Sequence, residues 1–174
     1  SKEEDLKRIL EEAEKTNKES SDRLRELMDR TRRENEESSR TLKEIVKDAD
    51  RRVAEIIRTD ELRKLVRDIK ETIKELDERS NRLAEEILKT SKKLDEDSNR
   101  LVEDVVRRIK DMVDRGEDVE RVKEDIERLL DELRKVDREI LETHKKLSEE
   151  LRRVDEEIIK RVKDLIRTLE KAAE

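Results

Sequence analysis

The chain has 174 residues with a formal net charge of -6; 56% are charged, 30% are hydrophobic, and aromatic residues, Cys and Pro are absent. Without cysteine there is no disulfide framework, thiolate nucleophile or Cys-bound zinc. The longest apolar runs are pairs such as Ile56-Ile57 and Ile158-Ile159, far short of the roughly 20 residues that a bilayer span needs. The opening Ser1-Lys2-Glu3-Glu4-Asp5 lacks the basic and apolar stretches of a secretory signal, so the expectation is a soluble chain, cytoplasmic if expressed in a cell.

High charge with low hydrophobicity can mean disorder, but here the 46 basic and 52 acidic residues are interleaved. Acids precede bases by four residues at Glu11/Lys15, Glu14/Lys18, Glu85/Lys89 and Glu142/Lys146, which supports helix on a solvated face. The spacing predicts a first helix over 2–58, a break at Thr59-Asp60 with Asp60 as its cap, and a second helix over 61–114. The single Gly, Gly116, and a capping Asp118 then separate a third helix over 119–172. Each helix would be about 80 Å long. Links this short force neighbours antiparallel, so an all-α, up-down-up three-helix bundle forming one elongated domain is expected.

A heptad register fails along the first helix, whereas a step of 18 residues keeps phase throughout. It aligns Leu6, Leu24 and Leu42, and likewise Ile9, Leu27 and Ile45. The second helix aligns Leu65, Leu83 and Leu101, and the third aligns Leu129, Leu147 and Leu165. A period of 3.6 rather than 3.5 implies nearly straight helices. The second helix carries the widest inward arc, with Thr72, Thr90, Leu88, Val106, Asn81 and Asn99 at its margins. Three helices are nevertheless expected to cover arcs of this width among themselves.

Polar residues interrupt the inward face with the same step. Asn17, Ser20 and Ser21 recur as Asn35, Ser38 and Ser39, and the third repeat reads Val53, Ile56 and Ile57. In the second helix Asp77, Ser80 and Asn81 recur as Asp95, Ser98 and Asn99; the third helix supplies Asp137 and Asp155. If level residues sum to about 119 across the first link and 232 across the second, Ser20 faces Asn99 and Asp95 faces Asp137, while Ser38 faces Asn81 and Asp77 faces Asp155. Thr31, Ser91 and His144 then share a middle level with Ser148 close by. An unpaired buried polar group costs about 1–3 kcal/mol, so such clusters are expected to form hydrogen-bond networks.

Equal helices, minimal links, Glu/Lys/Arg surfaces and repeated Ser/Asn/Asp/His positions on an aliphatic interior together resemble de novo designed helical bundles with buried hydrogen-bond networks. The resemblance spans the chain. It implies a structural scaffold whose networks fix helix register and pairing and which has no natural biochemical function; some members instead pair with a partner helix or another chain.

Catalytic and ligand-binding readings are weaker. His144 has no second His, and Leu141 stands where a di-iron bundle places Glu three residues before His, so a network histidine is expected rather than a metal ligand. The inward Asp residues could suggest acid-base work, but each one in the second helix has Ser and Asn beside it on the same face. A serine nucleophile would need a base and oxyanion donors; Ser148 lies one turn from His144 with no Gly-rich turn nearby. One Gly cannot build a phosphate loop. Net acidity without aromatic residues argues against nucleic acid, and no basic helix with bulky anchors is available to bind a membrane surface. The expectation is no enzyme, no cofactor, no metal and no required partner. A binding module that takes a partner helix or associates with itself is the alternative.

Overall fold

With no Pro and one Gly, and with acids and bases alternating along every segment, nothing interrupts helix outside the two links. The computed structural model, which describes residues 1–174, contains α1 (Lys2–Ala54), α2 (Asp60–Asp114) and α3 (Val119–Ala173) and no strand. All three pack on one another as an antiparallel three-helix bundle, as hydrogen bonds joining each pair of helices show.

The second link is built as its sequence implies. Gly116 takes φ +76°, a region that favours Gly because it lacks Cβ. Its N–H donates to Val113 O and that of Glu117 donates to Met112 O, the two bonds of a Schellman motif. Asp118 Oδ1 then accepts the Glu120 N–H at 3.1 Å and caps α3.

The first link differs from expectation. α1 stops at Ala54, four residues before the expected 58, so Ile56 and Ile57 lie in the link and only Val53 continues the repeat inside the helix. The cap of α2 is Thr59 rather than Asp60: Thr59 Oγ1 accepts the Leu62 N–H at 3.2 Å, three residues on, which leaves Asp60 as the first helical residue. Thr59→Ala is therefore expected to lower stability by about 1 kcal/mol, read as a fall in the denaturant midpoint with unchanged slope, whereas Asp60→Ala should have the smaller effect.

The chain divides into two compact units, each using all three helices. One holds Ser1–Asp29 and Leu88–Lys146; the other holds Arg30–Ile87 and Leu147–Glu174. In the first unit, Leu6, Leu10 and Ala13 of α1 meet Val102, Val106 and Ile109 of α2 and Val122, Ile126, Leu130 and Leu133 of α3. In the second, Leu42, Ala49, Ile73, Val162 and Ile166 form one cluster, and Ala84, Ile87 and Leu151 form another.

Two aligned rows expected to face inward do so only at their middle members, Leu83 and Leu147, which pack against the core. Leu65 (42%) and Leu101 (46%) on α2, and Leu129, Val136, Val154 and Leu165 on α3, are exposed; α1 has no large exposed hydrophobic residue. The apolar arcs of α2 and α3 are wider than two neighbouring helices can cover. Val106, expected at the margin, is buried instead.

Candidate functional site

The 18-residue repeat places a polar layer in each unit. In the first, Asn17 Nδ2 donates to Asn99 Oδ1 at 2.8 Å, Ser21 Oγ donates to Asp95 Oδ2 at 3.0 Å, and Ser98 Oγ donates to Asp137 Oδ1 at 2.7 Å. Ser21, Ser98 and Asp137 are buried. Asn17, Ser21 and Asn99 also line a groove of about 640 Å³ beside Val102 and Val106, so the layer has an open edge between α1 and α2.

In the second unit two of these bonds recur at the 18-residue step, Ser39–Asp77 for Ser21–Asp95 and Ser80–Asp155 for Ser98–Asp137, and only the Asn contact is rewired. Ser80 Oγ donates to Asp155 Oδ1. Asn35 Nδ2 reaches both Ser80 Oγ at 3.3 Å and Asp155 Oδ2 at 3.5 Å. Ser39 Oγ approaches both oxygens of Asp77, at 2.8 and 3.1 Å. Asn35, Ser80 and Asp155 are all buried, so three helices close a triangle around one carboxylate. Ser20, Ser38 and Asn81 stand half-buried at the layer margins and enter none of these bonds.

Three expected members, Ser20, Ser38 and Asn81, thus stand outside the bonds, and the pairings of the others move by about one turn. Asn99 takes Asn17 rather than Ser20, and Asp137 takes Ser98 rather than Asp95. Ser80 takes Asn35 and Asp155 where Ser38 with Asn81 and Asp77 with Asp155 were expected. Bonded residues sum to 115 or 116 between α1 and α2 and to 235 between α2 and α3. The early end of α1 lowers the first sum. Helical side chains lean toward their own N-terminus, which raises antiparallel contact sums above those of level Cα atoms.

The four residues assigned to a middle level resolve into two pairs. In the second unit Thr31 and Ser148 hydroxyls lie 2.9 Å apart. In the first, Ser91 Oγ lies 2.7 Å from His144 Nδ1, and a backbone hydrogen bond joins the ring to Leu27. A carbonyl only accepts, so the ring donates to Leu27 from its other nitrogen while Nδ1 accepts from Ser91 in the neutral form. His144 is 1% exposed and Ser91 2%. The serine and the imidazole are thus enclosed together between helical segments.

Burial shifts the buried titrating groups in opposite senses. It pushes the His144 pKa down, partly offset by the Leu27 bond. It pushes Asp137 up against the lowering bond from Ser98, with the nearby Asp95 charge adding to the rise. Asp155 is likewise raised by burial, against bonds from Ser80 and Asn35, with Asp77 adding to the rise. Both carboxylates therefore lie where ionisation is disfavoured.

One feature of the α1/α3 seam had no counterpart among the inward polar residues read from sequence. Arg152 grips both oxygens of Glu34 at 3.1 and 2.9 Å, and Arg30 also reaches Glu34 at 3.0 Å. Burial alone would raise the Glu34 pKa, but these guanidinium contacts outweigh it and hold the carboxyl below its usual value. Lys2–Glu120, Glu34–Arg152 and Arg52–Glu170 share one offset of 118 residues. That common offset was present in the charge pattern, though hidden by the many other acid-base pairs.

No group of three or more His, Asp or Glu side chains is placed to hold a metal ion. No helix is long and apolar enough to cross a membrane. Comparison with known protein families, curated proteins and solved structures finds no match to this chain.

Proposed function

We propose that the chain is a structural scaffold of de novo designed type, without catalytic activity or a required ligand, in which buried polar layers dictate how three similar helices align. The observation that carries this reading is the closed triangle of Asn35, Ser80 and Asp155, one residue from each helix. An aliphatic interior with an 18-residue repeat tolerates sliding by a turn at little cost, because Leu, Ile and Val then meet similar neighbours. A polar layer does not, since each slipped alignment strands carboxylates and hydroxyls in an apolar setting.

The test is a variant with both layers made apolar, Asn→Leu, Asp→Leu and Ser→Ala at the bonded positions. The wild type is expected to give one set of amide NMR signals and the variant several, from coexisting alignments. A single set in the variant, with the same contacts between helices, would remove the layers from that role.

A further inference from the structure

We propose that the α2/α3 face of each unit is a docking surface for a basic amphipathic helix. This goes beyond the scaffold reading, because it rests on exposed apolar rows rather than on buried layers. In the first unit the rows hold Leu101, Leu129 and Val136; in the second they hold Leu65, Val154 and Leu165. These six are all the large exposed hydrophobic residues of the chain.

Their position around each helix follows from the bonds. In the first unit α2 and α3 are joined by Ser98–Asp137 and Ser91–His144. One flank of α2 carries Asp95 and Asn99, which bond to α1. At about 100° per residue, Leu101 lies on the opposite flank from these two. In the second unit the flank of α3 carrying Ser148 and Arg152 bonds to α1, and by the same rotation Val154 lies on its other flank. Asp77 bonds to Ser39 of α1, and Leu65 falls on the side of α2 turned away from it. The exposed rows thus border the α2/α3 seam on the side away from α1. A fourth amphipathic helix seats its apolar stripe in such a setting.

Charge selects the occupant. The exposed positions four before, three after and seven after the six exposed apolar residues border the rows on both helices. In the first unit they include Asp97, Asp104, Asp125, Glu132 and Glu139, against Arg108 alone among bases. In the second they include Glu61, Asp68, Glu150 and Glu157, against Arg161 alone. The nine acids and two bases leave a surplus of seven, against a net charge of -6 for the whole chain. Elsewhere acids and bases nearly balance. A second copy presenting the same face would set acid against acid, which disfavours self-pairing here. A helix with Leu along one side and Lys/Arg beside it matches both the rows and their border.

The experiment titrates the full chain with a labelled synthetic helix of about six turns, Leu on one face and Lys/Arg flanking it, and follows fluorescence anisotropy. An analogue with Glu at the flanking positions is the control. Saturable binding of the basic peptide alone is expected, weakened by salt because the border charges are exposed. Replacing Leu65, Leu101, Val136 and Val154 by Glu should weaken it about tenfold or more, a change of about 1.4 kcal/mol per decade. Because apolar-to-charged changes could disturb folding, a second variant, Asp104→Lys with Glu139→Lys and Glu157→Lys, alters exposed charge together with two surface ion pairs, Asp104–Arg107 and Glu157–Arg161, and should shift preference toward the acidic analogue. Equal binding of both peptides, binding of neither, or binding untouched by either variant would overturn the proposal. So would a solution mass of twice the 20.9 kDa chain that falls to the monomer value in the Glu variant, since a second copy would then be the occupant.

Discussion

Replacing Asn35 by Leu and Ser39 by Ala, with the remainder of the second-unit layer intact, is expected to destabilise the protein by about 3 kcal/mol. The change removes the donors that α1 gives to Asp155 and Asp77. Asp155 is buried and retains only Ser80, while Asp77 loses a hydroxyl that touches both its oxygens. The added apolar area does not offset this, because one side of a layer cannot satisfy the other. Extending the change to Asp77→Leu, Ser80→Ala and Asp155→Leu should restore stability to the original value or above it, as apolar replacement of whole buried polar clusters does elsewhere. Chemical denaturation of the three proteins checks this. A two-residue variant more stable than the wild type would show that the α1 donors contribute nothing.

The second large effect is on pH dependence. His144 has a folded pKa below its ordinary value of 6.5, so around and just below that value the unfolded chain binds more protons. Its contribution is fully present above 6.5 and is lost as pH falls through the folded value. Asp137 and Asp155 act oppositely. Their folded values lie above the ordinary 3.8, so in that window the folded chain binds more protons and stability rises as pH falls toward 3.8. Denaturant unfolding between pH 8 and 4 should therefore show a decline that begins near 6.5. His144→Asn should abolish that early decline, and Asp155→Asn should remove part of the opposing trend at lower pH. Identical profiles for wild type and His144→Asn would mean that His144 is not held neutral in the folded protein.

The residues that form the layers were legible because burial and helix both repeat with the same 18-residue step, so a polar residue breaking an apolar row is visible in one dimension. Their partners were not, because pairing depends on where each link reverses the chain. Ending α1 at Ala54 rather than near 58 changes every α1/α2 partner together, and no Gly marks that end as Gly116 marks the other. Thr59 and Asp60 are both good caps by residue type, and only the bond from Leu62 separates them. The exposed rows escaped for a different reason. Leu101 and Leu129 obey the helical period as faithfully as buried Val102 and Leu130; periodicity reports that a face is apolar and is silent on whether three helices suffice to cover it.

The most direct measurement of the buried layers is a side-chain carboxyl NMR titration of Asp155 in the wild type and in Ser80→Ala. With Asp155 enclosed by Asn35 and Ser80, its carboxyl should titrate above the ordinary aspartate value of 3.8, and removal of the Ser80 hydroxyl, which favours the charged form, should raise it further. An Asp155 that titrates at the ordinary value and does not respond to Ser80→Ala would contradict the layer as described.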